Sequence, residues 1–333
     1  EATLRAAAAE LHEIRAGSLL PPLRTRIDDF AAEVTDALGD TEQANAFLDV
    51  TPALLGGDGP RHYLVVFMTP AELRGAGGFV GNFAELSADR GRVRLARSGR
   101  ITELITAAER GTRTLTGPDE YLDRYGRYHP ADNLQDATFS PHWPHDAAVY
   151  AQLYPQSGGR EVDGVIGIDP TGMAALLELT GPIRVEGLAM PLSADDAVEY
   201  LTRNQYLVHG DDEETREDVL DGIVRETFDR LTNASLPAPR VAGDVLGPAV
   251  RGRHVQVWSA HGAEQELFEE IGADGALRVE PGDDGLAVVQ QNAGNNKLDA
   301  YLRREVDVRT TVDARDGSVR SEGTIRLHNS VST

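Results

Sequence analysis

The stretch VDGVIGIDPTGMAALLELTGP (162–182) constrains this chain most. VDGVIGID (162–169) reads as a buried strand: between Asp163 and Asp169 it holds no polar side chain, the pattern of a strand covered on both faces. Asp169 then offers a side-chain cap, Pro170 suits a first helical turn, and Thr180-Gly181-Pro182 stops the helix over 170–180. A two-sided strand joined directly to a capped helix requires a layered sheet with helices packed on it. HYLVVFM (62–68) reads as a second buried strand, and GFVGNFAEL (78–86) with GRVRLA (91–96) as a hairpin turned by SADRG. HDAAVYAQLY (145–154) and residues 213–231 read as helices, the latter with Val219, Leu220, Ile223, Val224, Phe228 and Leu231 on one side. Ser193, with Asp196 three residues on, starts another. VQVWS (255–259), LAVVQQN (286–292) and YLRREVDVRTTV (301–312) read as strands, and GSVRSEGTIRL (317–327) pairs with the last of these. The expected class is α/β, α+β layered, with a mixed central sheet flanked by helices.

Three regions follow. Residues 1–58 read as a helical collar or stalk. Leu4, Ala7, Ala8, Leu11 and Ile14 form one stripe, and Phe30, Val34 and Leu38 form another that ends at Gly39. Residues 59–300 hold the α/β domain. Residues 301–333 are C-terminal strands, either extending the sheet or beginning a β-domain. The chain opens at Glu1 and closes on a strand-like stretch, and is expected to be a segment of a longer protein. Residues 126–144, polar and with three prolines, form an ordered loop or lid.

The 333 residues carry 54 Asp and Glu against 32 Lys and Arg, a net charge of -22. That balance disfavours nucleic acid, whose phosphates are held by an excess of basic residues. It disfavours an anionic membrane surface in the same way. There is no cysteine, which excludes disulfides, zinc–thiolate sites and cysteine nucleophiles. No apolar run reaches the length of a membrane span.

Chemistry has four candidate locations. In TPAELRGAGGFVGN (69–82), Gly75, Gly77 and Gly78 follow a strand, where backbone N–H groups can face a phosphate. Arg74 beside them can supply a bidentate fork. The same glycines also fit a tight connection that needs positive φ. Arg216 shares a helix face with Val219 and Leu220, where a guanidinium requires a partner or must reach out to solvent. Arg203 closes the preceding helix, where a cation favours the helix C-terminus. In QNAGNNKLDAYLRR (291–304), Asn292, Asn295 and Asn296 can form turns or bind sugar hydroxyls, and Lys297 is the single lysine of the chain. The lid carries His129, Asp132, Asn133, Asp136, His142 and His145 at spacings that fit no zinc motif. No GxSxG motif supports a serine triad.

YLVVFMTPAELRGAGGFVGN, SPHWP, VDGVIGIDPTGMAALLELTGPIRVEG, AVEYLTRNQY and QNAGNNKLDAYLRR together resemble the bacterial domain-of-unknown-function family 4012 over roughly residues 60–310. Proteins of that family are typically envelope proteins held by an N-terminal membrane helix, which implies an extracytoplasmic, membrane-anchored location. VDGVIGIDPTGMAALLELTGPIRV, SADDAVEYLTR and Arg216 are more distantly similar to LytR–CpsA–Psr (LCP) proteins, which move glycopolymers from a polyprenyl pyrophosphate carrier with Mg²⁺ in an arginine-lined pocket. That likeness implies a pyrophosphate surrounded by Arg74, Arg203 and Arg216. The glycine loop with Asn82 would lie beside it, LARSGR (95–100) would stand nearest to the LCP IPRD stretch and offer Arg97 or Arg100 without its acid, and Asn296 and Lys297 would line the rim. Glu72 would be the metal ligand; the second acidic position of that family falls in GGFVGN, which has no acid. The resulting expectation is phosphoryl-linked glycan transfer. The rival readings are a non-catalytic envelope scaffold or glycan-binding protein, and a glycoside hydrolase drawing on Glu72, Glu85, Asp132, Asp136 or Asp163.

Overall fold

The computed structural model describes residues 21–210, 212–233, 239–279, 285–292, 294 and 296–331, with isolated positions 3, 5, 6 and 9. The stripe Leu4–Ile14 and Asn295 lie outside the described residues. In chain order the elements are α1 (Pro21–Leu54), β1 (Arg61–Thr69), β2 (Phe79–Asp89), β3 (Arg92–Arg100), α2 (Ile101–Thr106), α3 (Asp119–Tyr125), α4 (Trp143–Leu153) and β4 (Gly164–Ile168). They continue with α5 (Pro170–Thr180), α6 (Ala194–Glu199), α7 (Gln205–His209), α8 (Glu213–Asn233), α9 (Pro239–Arg251), β5 (Val255–Ser259), α10 (Gly262–Glu270), β6 (Leu302–Val312) and β7 (Val319–Asn329). The chain is a mixed α/β structure, as the strand and helix patterns predict.

Five strands form the central sheet in the order β3-β2-β1-β4-β5. β1 and β4 are parallel, Tyr63 standing opposite Gly164 and Phe67 opposite Ile168. The other pairs are antiparallel. The continuous apolar run of β1 follows from its central place. Leu64 and Val66 pack on one side with Phe83, Trp143 and Tyr150, while Val65 packs on the other with Ile168, Leu176 and Ile223. Each fully buried side chain of this size contributes about 1.5–3 kcal/mol. One face is covered by α4 and the 115–140 loop, the other by α5 and α8. Asp169 caps α5, accepting from the N–H groups of Thr171 and Gly172.

Three expectations change. α1 runs through Gly39 to Leu54 without ending there. Within it Val34 is buried, but Phe30 is 54% exposed, so the stripe does not face a core at both positions. Residues 286–292 form no strand. Their backbone is instead held by a loop: the Asn292 N–H donates to the Leu73 carbonyl.

β6 and β7 form a separate two-stranded sheet. Val306 stands opposite Ile325 and Val312 opposite Val319, and all four are exposed. The alternation of a strand puts these apolar side chains on one side of the ribbon. No described helix is long and apolar enough to cross a membrane.

Candidate functional site

β1 and β4 end side by side at Thr69 and Ile168, and the chain departs from both ends into loops. In open α/β sheets, ligands bind outside such carboxyl ends. Here a cavity of about 420 Å³ lies between the sheet and the helices α5, α7 and α8. Phe67, Met173, Leu201, Leu220, Ile223 and Val224 make it apolar on one side. The 3.6-residue period of α8 directs Leu220, Ile223 and Val224 inward, and the alternation of β1 directs Phe67.

The polar side is built from three distant stretches. Glu72 comes from the loop after β1, Tyr206 and Arg216 come from α7 and α8, and Lys297 comes from the segment before β6. Lys297 Nζ forms an ion pair with Glu72 Oε2. The ammonium also lies 5.0 Å from the Phe79 ring centre and 5.9 Å from that of Tyr206. The Arg216 guanidinium covers the same Tyr206 ring at 5.1 Å, and that of Arg74 faces Phe79 at 5.8 Å. Cations and rings therefore alternate along one wall, in an arrangement that attracts cations to ring faces. Burial pushes the Tyr206 hydroxyl above its ordinary pKa, with Arg216 opposing the shift, so it stays protonated at neutral pH.

Among the described residues, two buried polar atoms in this cavity wall have no hydrogen-bond partner: Asn82 Nδ2 and Gln205 Oε1. Asn82 is 6% exposed and Gln205 2%. Leaving such an atom unpaired costs about 1–3 kcal/mol, which a bound group could recover.

The segment that delivers Lys297 is anchored by side chains. Asp299 accepts from the Leu73 N–H at 2.9 Å, from Gln290 Nε2 at 2.9 Å and from Asn292 Nδ2 at 2.8 Å. Arg74 completes the anchor. It donates twice to Asp136 Oδ1, at 2.9 and 2.6 Å, and also to the Leu73 and Asn292 carbonyls at 2.9 Å each. Its second terminal nitrogen also lies 3.7 Å from Glu72.

Several expectations for individual residues are corrected by this geometry. Arg74 has four of its five donors engaged within the protein, so it ties loops together and holds the wall. Arg203 is exposed and points to the C-terminal segment, donating Nε and Nη2 to the Ala300 carbonyl and covering the Tyr301 ring at 5.0 Å. It is not among the cavity residues, so the three arginines do not converge; Lys297 stands with Arg216 in its stead. The glycines are used for close approach. A Cβ on Gly75 would lie 2.1 Å from the Phe139 carbonyl oxygen, and one on Gly78 2.1 Å from that of Thr69. The Ala76 and Gly77 N–H groups donate to Thr138 and Arg74 carbonyls, so this loop does not form a phosphate cradle. Arg97 lies over the Phe83 ring and donates to the Gly158 carbonyl, away from the cavity. Asn296 Oδ1 accepts from the Asn292 side chain and the Leu298 N–H, shaping the turn that carries Lys297. Asn82 does line the cavity.

The cavity is also not a net positive hollow. Arg100, Arg216 and Lys297 line it together with Glu72, Asp169, Glu213 and Glu217. Arg100 is paired with Glu217 at 2.7 Å and Asp218 at 2.8 Å, and Arg216 with the exposed Glu213 at 3.2 Å. The Arg216 pair is the one a ligand can exchange at least cost, since an ion pair with so exposed a partner contributes about 0–1 kcal/mol.

The residues do not fit Mg²⁺. A magnesium site needs carboxylate or carbonyl oxygens open to the ion. Glu72 already has Lys297 and Arg74 against its two oxygens, and Asp169 is engaged by the α5 N-terminus and by His254 Nδ1 at 2.7 Å. Among the described residues, no group of three His, Asp or Glu side chains could hold a metal ion.

Of the two arginines of LARSGR, Arg100 lines the cavity, whereas Tyr206, Gln205 and Phe79 are cavity residues that motif reading passes over. The available signal was in YLTRNQY (200–206). Tyr200–Asn204 form a π-helical turn, and such turns often accompany functional sites.

Residues 58–206 match the model of a family described as a protein of unknown function, DUF4012. The resemblance to domain-of-unknown-function family 4012 therefore holds over that stretch. No curated protein matches the chain. Among solved structures it is similar to Lin1025 from Listeria innocua, with 13% identity over 79% of this chain and 90% of that one and a TM-score of 0.30. It is similar to TagV from Bacillus subtilis, with 13% identity over 65% and 80% and a TM-score of 0.30. It is also similar to gbs0355 from Streptococcus agalactiae, with 13% identity over 65% and 74% and a TM-score of 0.37.

Proposed function

We propose that this chain is an extracytoplasmic, envelope-associated protein that binds a polyprenyl-pyrophosphate-linked glycan and supports phosphoryl-linked glycan transfer. The observation that carries this reading is the two-sided cavity. An isoprenoid chain needs an apolar cleft, and Phe67, Met173, Leu220 and Ile223 supply one. A pyrophosphate needs fixed cations, and Arg216 and Lys297 stand against one tyrosine ring beside it. Asn82 Nδ2 adds an unpaired donor.

In the transfer itself, a hydroxyl of an acceptor glycan forms a bond to the phosphorus that carries the sugar and gives up its proton to solvent, while the bridging oxygen departs with the prenyl phosphate and gains charge as its bond to that phosphorus breaks. Fixed cations stabilise that charge without reorganisation. Arg216 and Lys297 supply it here. The ammonium held by Glu72 stands in the region that the LCP likeness assigns to a metal ion, so binding is expected to persist in a chelator.

The hydrolase reading finds no support in the carboxylates it requires. Glu72 is held by cations, Glu85 by Tyr154, Asp132 by the Gly111 N–H, Asp136 by Arg74 and Asp163 by Arg61. Calorimetry with geranylgeranyl pyrophosphate, inorganic pyrophosphate and geranylgeraniol tests the cavity. The prenyl pyrophosphate should bind at least 10-fold more tightly than either fragment, and Arg216→Ala should weaken it about 10-fold or more, the scale of one charge-assisted hydrogen bond. Equal binding of all three, or an unchanged Arg216→Ala protein, rejects the reading.

A further inference from the structure

On the other side of the Glu72–Phe79 wall lies a second, more open hollow of about 1130 Å³. It shares Glu72 and Phe79 with the cavity but is otherwise lined by aromatic rings, arginines, side-chain amides, a few aliphatic residues and Asp136, whose carboxylate is paired with Arg74. We infer that this groove binds an acidic sugar chain, one bearing carboxylate or phosphate groups.

Three features converge. The first is a ring platform. Tyr125 stacks on Phe139 with ring centres 5.7 Å apart and planes at 15°, and Tyr128 packs on the same Phe139 ring at 5.1 Å. Tyr125 and Phe139 are nearly buried, whereas Tyr128 is 44% exposed. A large ring left open on a buried aromatic base offers an apolar face with a polar edge. The backbone fixes it there, since the next residue, His129, turns the chain at φ 54°.

The second feature is charge. Arg124 and Arg127 line the groove, and among the described residues neither has a carboxylate within 4.0 Å. Arg127 lies over the Tyr128 ring at 4.8 Å and donates Nη2 to its hydroxyl at 2.8 Å, which leaves the rest of its fork open. Guanidinium forks match carboxylate and phosphate oxygens.

The third feature is an acceptor. Gln135 Oε1 is buried in a residue that lines the groove and has no hydrogen-bond partner among the described residues. An amide oxygen requires a donor, which a fully ionised phosphate or carboxylate lacks and a sugar hydroxyl has. Ring face, open fork and unpaired acceptor together fit a molecule with a C–H face, an anionic group and hydroxyls. Single-stranded nucleic acid also uses rings and arginines, but it needs a basic track that follows many successive phosphates, and this groove offers only Arg124 and Arg127 without a carboxylate partner among the described residues. The groove uses residues outside the cavity, so it does not depend on the lipid-carrier reading. If both hold, the groove is where an acceptor glycan would lie beside Arg216 and Lys297.

The test is calorimetric titration of the full chain with tetragalacturonate, with a neutral galactose tetramer, with glucose 6-phosphate and with an oligothymidylate. Tetragalacturonate should bind at least 10-fold more tightly than the neutral tetramer. Tyr128→Ala and the double variant Arg124→Gln/Arg127→Gln should each weaken it 10-fold or more, and Tyr128→Phe should retain most of the affinity. Binding of glucose 6-phosphate that the double arginine variant abolishes identifies phosphate as the preferred acid; its absence with tetragalacturonate bound identifies carboxylate, and both outcomes uphold the site. Absence of binding by both acidic sugars overturns the proposal. So does equal binding of the neutral tetramer, indifference to both variants, or tighter binding of the oligothymidylate. Because no lipid is present, these outcomes leave the cavity reading untouched, and loss of prenyl pyrophosphate binding leaves this one untouched.

Discussion

The two hollows that meet at Glu72 and Phe79 differ in how their cations are held. In the cavity, each basic side chain has a carboxylate beside it: Lys297 on Glu72, Arg216 on Glu213, Arg100 on Glu217 and Asp218. In the groove Arg74 is paired with Asp136, but among the described residues Arg124 and Arg127 have no carboxylate within 4.0 Å, and Arg127 lies over the open Tyr128 ring. The difference follows from surroundings. A cation beside the apolar floor of the cavity is partly desolvated and must be paired, whereas an open groove keeps its arginines hydrated and available. The cavity should therefore bind ligands by exchanging partners, and the groove by adding them.

Breaking the pairing in the cavity should have the largest effect. Lys297→Met leaves the buried Glu72 carboxylate with only the more distant Arg74, and removal of one partner from a buried pair costs about 3–5 kcal/mol. Urea unfolding should show that loss, and Lys297→Arg should recover much of it. An unchanged midpoint for Lys297→Met would mean that Glu72 is not a charged anchor. Next is the wall itself. Gly75→Ala drives a methyl group into the Phe139 carbonyl and should cost about 1–3 kcal/mol, as overpacking does. Because Phe139 is also the base of the ring platform, the same change should weaken acidic sugar binding more than prenyl pyrophosphate binding. Asp136→Asn removes the charged acceptor of Arg74 and should cost about 1–3 kcal/mol. It tests whether the anchor is shared, since a loss in one hollow alone would show that the wall does not couple them.

The smallest effect concerns pH at the cavity edge. A hydrogen bond to Asp169 raises the His254 pKa above its ordinary value, with burial opposing the shift. The stabilisation is fully present below about pH 6.5, the value of an unfolded histidine, and fades as the pH rises through the raised folded value. With the side chain about a third exposed, the contribution is about 1 kcal/mol or less. Thermal unfolding of His254→Gln against the parent between pH 5 and pH 9 should show a gap that closes as the pH rises. A gap that widens would reverse the sign.

Much of the fold was legible because its signals are local. The strand 164–168, its Asp169 cap and the helix after it are written in consecutive residues, and so is the two-sided burial of β1. The run 286–292 reads as a strand from its short apolar stretch, yet its fate is decided by Asp299 reaching Leu73, a contact across 226 positions of chain. The site was legible only in part for the same reason. Arg216 announced itself as a charge on an apolar helix face and Lys297 as the single lysine. Arg74 looked equally available, because its partner Asp136 lies 62 positions away. Glycines 75, 77 and 78 signal a need for small residues, but sequence does not say whether a ligand or a neighbouring carbonyl lies opposite. Here it is a neighbouring carbonyl for Gly75 and Gly78.

The most direct measurement is double occupancy. Native mass spectrometry of the full chain in EDTA, with geranylgeranyl pyrophosphate and tetragalacturonate together, should show one molecule of each on the same protein. Arg216→Ala should remove only the lipid, and Tyr128→Ala only the sugar. Mutual displacement of the two ligands, or lipid binding that appears only when Mg²⁺ is restored, would contradict two separate hollows and a metal-free pyrophosphate site.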